Sequence, residues 1–373
     1  MKYYIIAGEA SGDLHASNLM RGLKARDAEA DFRCWGGDLM EAAGGKLVKH
    51  YRELAFMGFV EVLFNLRTIL RNLKFCREDL LNYKPDVLIL VDYPGFNLRM
   101  AKFAAEHGIR VFYYISPQVW AWKKSRVQTI RKYVERMYVI LPFEKDFYRK
   151  HSYEVDFVGH PLLDAVYDGP DDKDMLKEDL GLGKEPVIAL LPGSRRQEIK
   201  KMLPLMLQMS SKYENYQFVI AAAPSQPADF YTGTLRKKDV KVIPGRMHDI
   251  LHIADAALVT SGTATLETAL FKVPEVVCYK GGWLSYYIAR WLIRDIKYIS
   301  LVNLIMDREV VKELIQGEFT GKNLNRELSR ILYDNEARSK ILSDLKKLRE
   351  KLGGPGASET AAELMYQRLL HKD

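Results

Sequence analysis

KYYIIAGEASGDLHAS (residues 2–17) begins with an apolar run and continues into a segment that contains Gly8 and Gly12. A strand that leads through a glycine loop into a helix is the repeating unit of an open α/β fold. The glycine spacing matches neither common phosphate-binding pattern, and the loop carries the acids Glu9 and Asp13. Carboxylates repel phosphate, so this loop is not expected to be a phosphate site.

The alternation of strand and helix patterns continues through the first half of the chain. Runs such as VLILV (87–91) are apolar throughout, as expected for parallel strands covered on both faces. Helical patterns fill the intervals, for example 14–26 and 61–83. The predicted strands of this half are 2–7, 31–36, 86–92, 110–116, 137–142 and 155–159.

A second set of strand patterns follows an acidic, Gly- and Pro-rich stretch at 168–185 that is typical of a linker with a short helix. The predicted strands of this half are 186–194, 216–224, 240–245, 256–262 and 276–280. We therefore predict an α/β protein with two doubly wound domains facing a cleft, and a C-terminal helix. The predicted boundaries are 1–167, 168–350 and a helical segment, 351–373, that packs back on the first domain.

The composition is that of a globular protein, with 373 residues, 48% hydrophobic side chains and a formal net charge of +8. Charged residues interrupt every apolar run before the roughly 20 residues needed to span a bilayer, and we expect no secretory signal. The three scattered cysteines suggest neither a disulfide framework nor a metal site, so a cytosolic protein is expected. The positive charge favours anionic partners, although a modestly basic cytosolic enzyme explains it equally well.

The loop PGSRRQ (192–197) follows a predicted strand and precedes a helix that begins near Arg196. Free backbone N–H groups, the Ser194 hydroxyl and the Arg195 guanidinium would then surround one point, with Gly193 in the turn. An anion such as a diphosphate is held well at such a helix terminus. The alternative is an ordinary turn with a surface arginine.

The loop SGTATLETA (261–269) repeats the pattern of strand, glycine, hydroxyl side chains and helix start. Its hydroxyls can donate, Gly262 allows close approach of a ligand, and Glu267 in the first turn could accept both ribose hydroxyls. The alternative for Glu267 is a carboxylate that only stabilises the helix N-terminus. Two such loops in one domain favour a nucleotide.

The motif VDYPGFN (91–97) places Asp92 at the end of a buried strand. A carboxylate at a strand end is well placed to act as a general base, although it could simply cap the following helix.

The stretch ISPQVWAWKKSRVQTIRK (115–132) combines two tryptophans with a basic helical face. This pattern suits nucleic acid, an acidic lipid headgroup or a phosphorylated ligand, but most such charge runs are solvated surfaces.

Nine motifs in register resemble the lipid-A-disaccharide synthase family across nearly the whole chain. They are GEASGD (8–13), FMGFVEVL (56–63), DYPGFN (92–97), SPQVWAW (116–122), LPFE (141–144), FVGHP (157–161), LLPGSR (190–195), SGTATLE (261–267) and SLVNLI (300–305).

The resemblance implies an inverting glycosyltransferase with two Rossmann-like domains in the GT-B arrangement. Such an enzyme joins UDP-2,3-diacylglucosamine to 2,3-diacylglucosamine 1-phosphate in lipopolysaccharide biosynthesis, and we expect no cofactor or metal ion and no nucleic-acid partner. The resemblance assigns the catalytic base to Asp92. It assigns nucleotide binding to Gly193, Ser194, Arg195, Ser261, Gly262, Thr263, Ala264, Thr265, Glu267 and Asn303.

The first domain is then expected to hold the acceptor sugar, because hydroxyls and carboxylates suit sugar hydroxyls. The predicted acceptor-binding residues are Glu9, Ser11, Gly12, Asp13 and Gln118. The alternative is a tight turn in which Asp13 caps a helix. The chain departs from the family at Gly95, where many members carry a second acid, so the motif DYPGFN offers Asp92 as its one acid.

Both substrates carry acyl chains, so we expect a peripheral enzyme on the cytoplasmic face of the inner membrane of a Gram-negative bacterium. The predicted contacts are Phe56, Met57 and Phe59, within the apolar stretch 55–66, and the aromatic and cationic stretch 283–299. The alternative is that these segments belong to the core or to a homodimer contact.

Two other functions remain open at the level of the residues. Another UDP-sugar enzyme, such as a 2-epimerase or the peptidoglycan N-acetylglucosaminyltransferase, would share the nucleotide loops but not GEASGD or SPQVWAW. A non-enzymatic binder of acidic lipid would explain the charge but not the paired nucleotide loops.

Overall fold

The computed structural model describes residues 1–53, 66–117, 126–166, 172–224, 226–232, 240–281 and 297–371. The chain divides into two compact units. The first comprises Met1–Asp164 and Leu352–Asp373, and the second comprises Ala165–Lys351.

The first unit contains a seven-stranded parallel sheet with the strand order β3-β2-β1-β4-β5-β6-β7. Its strands are β1 (Lys2–Ala7), β2 (Asp31–Gly36), β3 (Lys46–His50), β4 (Val87–Val91), β5 (Arg110–Tyr114), β6 (Arg136–Val139) and β7 (Asp156–Phe157).

The second unit contains a six-stranded parallel sheet with the order β10-β9-β8-β11-β12-β13. Its strands are β8 (Val187–Leu191), β9 (Gln217–Ala222), β10 (Lys241–Pro244), β11 (Ala254–Thr260), β12 (Glu275–Tyr279) and β13 (Lys312–Ile315).

Sixteen α-helices are found in the described part of the chain. The first eight are α1 (Ala10–Lys24), α2 (Asp38–Ala42), α3 (Leu66–Tyr83), α4 (Pro94–Glu106), α5 (Arg126–Tyr133), α6 (Pro142–Arg149), α7 (Leu162–Ala165) and α8 (Lys173–Asp179). The second eight are α9 (Arg196–Leu207), α10 (Ala228–Thr232), α11 (Met247–Ile253), α12 (Thr263–Leu270), α13 (Leu301–Met306), α14 (Gly321–Tyr333), α15 (Asn335–Lys351) and α16 (Ala357–Leu370).

The first sheet is covered on both faces by helices, which is why its central strands are apolar throughout. On one face, Tyr4 and Ile6 of β1 belong to the core that includes Leu73 of α3. On the other face, Tyr3 and Ile5 belong to the core that includes α1 and α16. With its six-stranded counterpart, this sheet confirms the predicted fold of two doubly wound α/β domains.

Two edge strands, β3 and β13, are absent from the predicted set. Strand β3 reads KLVKH and is only partly buried, and β13 reads KELI. An edge strand is paired on one side only and needs no continuous apolar run, so its sequence gives a weaker signal.

Helix α1 begins at Ala10, earlier than the predicted start at residue 14, so most of GEASGD forms the first helical turn rather than a loop. Gly8 is needed where the chain turns, because a Cβ added there would lie 2.3 Å from the ring of Tyr93. The close approach that Gly8 permits in this structure is therefore to an aromatic side chain of the same unit.

The C-terminal helix α16 packs against α1 within the first unit. Close approach is possible because a Cβ added to Gly22 would lie 2.8 Å from the Cβ of Ala362. Arg26 forms an ion pair with Glu363, and Tyr114 shares a hydrogen bond of 3.1 Å with Ser358. In the described ranges, no helix is both long enough and apolar enough to cross a membrane.

Candidate active site

The candidate functional residues lie where parallel strands end, because the carboxyl ends of parallel strands meet at one edge of a sheet. In the first unit, this edge carries the loops that follow β1, β4 and β5. In the second unit, it carries the loops that follow β8, β10 and β11.

Asp92 directly follows β4 and has a left-handed backbone conformation, with φ of 44°. Its N–H donates to the carbonyl of Tyr114 at 3.2 Å. Its own carbonyl accepts hydrogen bonds from the side chains of Asn97, at 2.7 Å, and Tyr113. Asn97 is fully buried and also donates to Val91 at 3.2 Å. The backbone of Asp92 is thus fixed by two buried side chains, one of which belongs to the DYPGFN motif.

Burial raises the pKa of the Asp92 carboxyl to about 6, and the nearby Glu9 carboxylate adds to the shift, while the Tyr93 N–H opposes it. A general base works best when its pKa lies near the working pH. Asp92 therefore combines a strand-end position with a proton affinity that suits proton abstraction near neutrality.

Three neighbouring residues adopt left-handed conformations that side chains other than glycine rarely adopt. They are Asp92, Tyr93 with φ of 48°, and Ile115 with φ of 63° after β5. Such a conformation is unusual for a β-branched residue such as Ile115. Backbone strain of this kind concentrates at functional sites, which supports this edge as a site.

The predicted acceptor-binding residues differ in their surroundings. Glu9 and Ser11 are exposed, and Gly12 lies in the first turn of α1. Asp13 is buried, and its carboxylate accepts hydrogen bonds from the backbone of Gly37, Leu39 and Met40 at 2.8–3.1 Å.

Asp13 therefore caps the N-terminus of α2, a neighbouring helix rather than its own. Both of its carboxylate oxygens accept hydrogen bonds from backbone N–H groups. Its acceptor-binding role stays a prediction. Gln118, Phe56, Met57 and Phe59 lie outside the described residues.

Gly95 stands at the start of α4, where many family members carry a second acid. A Cβ added at Gly95 would meet no atom within 4 Å, so the structure leaves room for a side chain there. Steric constraint does not explain the glycine.

The second unit contains a cavity of about 570 Å³ at the carboxyl edge of its sheet. The N-termini of α9 and α12 border it, together with the loop that follows β10. The predicted nucleotide-binding residues that line it are Gly193, Ser194, Ser261, Gly262, Thr263, Ala264 and Glu267. The first N–H groups of each helix have no partner within the helix, so this cavity suits an anion.

Gly193 and Arg195, both predicted to bind the nucleotide, differ in their relation to the cavity. Gly193 has φ of 103°, and a Cβ there would lie 2.8 Å from a carboxylate oxygen of Glu198. Arg195 is the N-cap residue of α9; its exposed guanidinium donates to Glu198 at 3.0 Å and does not line the cavity.

Around α12, two of the three hydroxyls predicted to donate to a ligand, those of Ser261 and Thr265, have partners within the protein. Ser261 donates to the carbonyl of Ile299 at 3.1 Å, and the buried Thr265 donates to the carbonyl of Gly262 at 2.9 Å. Both hydroxyls thus hold the turn in place, and Thr265 does not line the cavity. Their predicted contacts with a nucleotide stay predictions.

Glu267 lies in the second turn of α12, not in the first turn as predicted, and its Oε2 lies 2.9 Å from Nε2 of His248. His248 follows β10 and also lines the cavity. An imidazole N–H that occupies one oxygen orients the carboxylate and leaves the other oxygen for a ligand hydroxyl.

Asn303 does not line the cavity and is fully buried in α13. Its carbonyl oxygen accepts from the N–H groups of Val310 and Val311, at 2.7 and 3.1 Å. Its amide group donates to the carbonyl of Val311 and to Glu313, each at 2.9 Å. The structure thus uses both ends of the amide within the protein, and the predicted contact of Asn303 with a nucleotide stays a prediction.

His248 and Glu198 are two of the cavity residues that the sequence analysis missed. Residues 246–248 (RMH) directly follow the predicted strand 240–245, so their position at the carboxyl edge was an available signal. Glu198 gave no such signal, because a glutamate in a first helical turn is common for electrostatic reasons alone.

Comparison with known proteins shows the family of the chain. The family model described as lipid-A-disaccharide synthetase matches residues 3–367. The chain is 42% identical to the lipid-A-disaccharide synthase of Syntrophus aciditrophicus, with 99% of this chain and 98% of that protein covered. It is 40% identical to the enzyme of the same name from Myxococcus xanthus, with 98% and 97% covered.

Solved structures show the fold at low sequence identity. A putative UDP-N-acetylglucosamine 2-epimerase from Listeria monocytogenes has a TM-score of 0.68 and 13% identity, with 100% of this chain and 97% of that chain covered. The glycotransferase of kitacinnamycin has a TM-score of 0.66 and 15% identity, with 99% of both chains covered. These likenesses confirm the GT-B fold class. The full-length sequence matches show to which of the enzyme families with this fold the chain belongs.

The motifs resemble one family from residue 8 to residue 305, the family model extends that match over nearly the whole chain, and the sequence relatives carry one name. The chain therefore belongs to the lipid-A-disaccharide synthase family, glycosyltransferases of lipid A biosynthesis.

Proposed function

We propose that the chain transfers 2,3-diacylglucosamine from UDP-2,3-diacylglucosamine to the 6-hydroxyl of 2,3-diacylglucosamine 1-phosphate, with inversion at the anomeric carbon. The bond between that carbon and the UDP oxygen breaks, and a bond to the acceptor oxygen forms on the opposite face. The products are the β-1,6-linked disaccharide 1-phosphate and UDP.

The observation that carries the proposal is the cavity bordered by the N-termini of α9 and α12. Two helix N-termini direct N–H groups and positive dipole ends to one place, which stabilises a diphosphate and the charge that develops on it as it leaves. Arg195 of α9 would add a charge-assisted contact by exchanging Glu198 for the diphosphate.

The pair formed by Glu267 and His248 supports a nucleoside next to the diphosphate. In the proposal, His248 orients the carboxylate and Glu267 accepts hydrogen bonds from the ribose hydroxyls. The loop after β10, which leads into α11 and His248, also lines the cavity and would flank the base.

Asp92 of the first unit is the proposed general base. It would take the proton of the acceptor 6-hydroxyl as that oxygen attacks the anomeric carbon. Burial raises its pKa to about 6, which makes the carboxylate more basic than usual but still leaves it mostly ionised at neutral pH.

Calorimetric titration tests the nucleotide site. We expect UDP to bind at one site per chain and uridine to bind far more weakly, because uridine lacks the diphosphate that the helix N-termini hold. Equal affinities for the two compounds would contradict the proposed placement of the diphosphate.

We also propose contact with the cytoplasmic face of the inner membrane through Phe56, Met57 and Phe59, because both substrates carry acyl chains. With a net charge of +8, the protein is expected to sediment with anionic vesicles at low salt, and less strongly as salt screens the charge. Replacement of the three residues by serine should lower vesicle binding while UDP affinity stays unchanged. If the wild-type protein did not sediment with vesicles at any salt concentration, the proposed membrane contact would be contradicted.

A further inference from the structure

A buried polar network lies behind the cavity of the second unit, and Glu313 of β13 is its centre. The side chain is 7% exposed. Its carboxylate accepts hydrogen bonds from the N–H groups of Ile299 and Ser300, each at 2.9 Å, and from the Ser300 hydroxyl at 2.7 Å. Asn303 donates a fourth at 2.9 Å. Four donors on one buried carboxylate fix the backbone at residues 299–300.

The acid beside Glu313 does not share these donors. Glu275 of β12 is fully buried, and within the described residues its carboxyl oxygens have no hydrogen-bond partner. Burial, followed by the charge on Glu313, raises the pKa of Glu275 well above its usual range. The four donors described above are therefore all directed at Glu313.

The network reaches the cavity through one backbone carbonyl. The carbonyl of Ile299 accepts the Ser261 hydroxyl at 3.1 Å, and the N–H of Ser261 donates to Cys278 at 3.1 Å. Ser261 lines the cavity and precedes Gly262, where the N-terminus of α12 begins. The hydroxyl proton of Ser261 is thus directed at the protein and not at a ligand.

We infer that Glu313 is a positioning residue for the nucleotide: through Ile299 and Ser261 it holds the Gly262 turn, whose N–H groups border the cavity. Asn303 acts in the same way, since it binds Glu313 and the backbone of residues 310–311 instead of the ligand. This inference rests on the proposed binding of UDP in the cavity.

A double-mutant cycle tests the inference, with UDP affinity measured by calorimetry for wild type, Glu313→Gln, Ser261→Ala and the double variant. Glutamine offers one acceptor oxygen in place of two, so at least one backbone donor loses its partner. We expect Glu313→Gln to weaken UDP binding roughly 3- to 10-fold, the range for one net hydrogen bond. In the Ser261→Ala background the same change should have almost no further effect, because the link is already broken.

Glu309→Gln is the matched control, since Glu309 is an exposed acid on the preceding turn that pairs with Lys312 outside the network. UDP affinity should not change in this variant. If Glu313→Gln fails to fold, Ser300→Ala replaces it in the cycle, because that change removes a single donor to Glu313.

A merely structural role would lower the unfolding temperature but leave the two affinity effects independent. The inference would be overturned if the losses of UDP binding free energy in the two single variants added up in the double variant. An unchanged UDP affinity in Glu313→Gln would also overturn it. A wild-type protein that does not bind UDP would instead overturn the proposed function, so the two failures are distinguishable.

Discussion

Replacement of Asp92 by asparagine is expected to lower kcat by roughly 10²-fold or more, the scale of general-base catalysis, and to leave UDP affinity nearly unchanged. Asparagine keeps the shape of the side chain and tolerates the left-handed backbone at this position, but it cannot accept a proton. The measurement is steady-state kinetics with both acylated substrates, beside a UDP titration.

The raised pKa of Asp92 also predicts how activity and stability change with pH. Because the pKa of Asp92 is raised to about 6, wild-type kcat/KM should rise as the pH passes through about 6 and then level off. A raised folded-state pKa means that ionising this carboxyl costs stability, a cost that grows from about pH 4 and is complete above pH 6. Asp92→Asn should therefore be more stable than wild type at pH 8, although it is far less active.

Asp86→Asn provides the matched control for Asp92. Asp86 immediately precedes β4, at the opposite end of the strand from Asp92, and accepts a hydrogen bond from the Lys2 N–H at 2.7 Å. The same chemical change there should leave kcat unaltered. A kcat of Asp92→Asn within a few fold of wild type would remove Asp92 from the mechanism.

Replacement of Arg195 by alanine should weaken UDP binding by about 1.5–3 kcal/mol, roughly 10- to 150-fold, the range for hydrogen bonds to charged groups. Its guanidinium is exposed and forms an ion pair with Glu198, and such pairs contribute little to stability. The loss should therefore appear in binding, with the unfolding temperature close to that of wild type.

Arg196→Ala is the neighbouring control for Arg195. Arg196 donates to Gln226 at 3.1 Å and lies over the ring of Phe230, so it already has partners within the protein. Its removal should affect UDP affinity much less. If calorimetry finds the affinity of Arg195→Ala unchanged, the diphosphate lies elsewhere.

The sequence predicts the central strands well, because strands buried on both faces must be apolar throughout, as VLILV of β4 is. The edge strands β3 and β13 escape prediction because charged residues interrupt their short apolar runs, which read KLVKH and KELI. The predicted start of α1 is also wrong, because the two glycines indicate a longer loop. Gly8 is instead required by the ring of Tyr93, a residue distant in the sequence.

For the candidate site, loop position is predictable and side-chain direction is not. Gly193, Ser194 and residues 261–264 line the cavity because they follow strands that end at its edge. Thr265 and Asn303 point into the protein. For Thr265 this depends on its position around α12, and for Asn303 on its hydrogen bond to Glu313 of the neighbouring strand β13. The contact of His248 with Glu267 joins two separate helices, α11 and α12, so no local pattern encodes it.

The proposed reaction can be followed through its two products. The purified protein should be incubated with UDP-2,3-diacylglucosamine and 2,3-diacylglucosamine 1-phosphate, and the products should be resolved by chromatography and mass spectrometry. We expect equal amounts of the β-1,6-linked disaccharide 1-phosphate and UDP, with neither formed when the acceptor is omitted. UDP release without the disaccharide, or conversion of the donor into an epimer, would contradict the assignment.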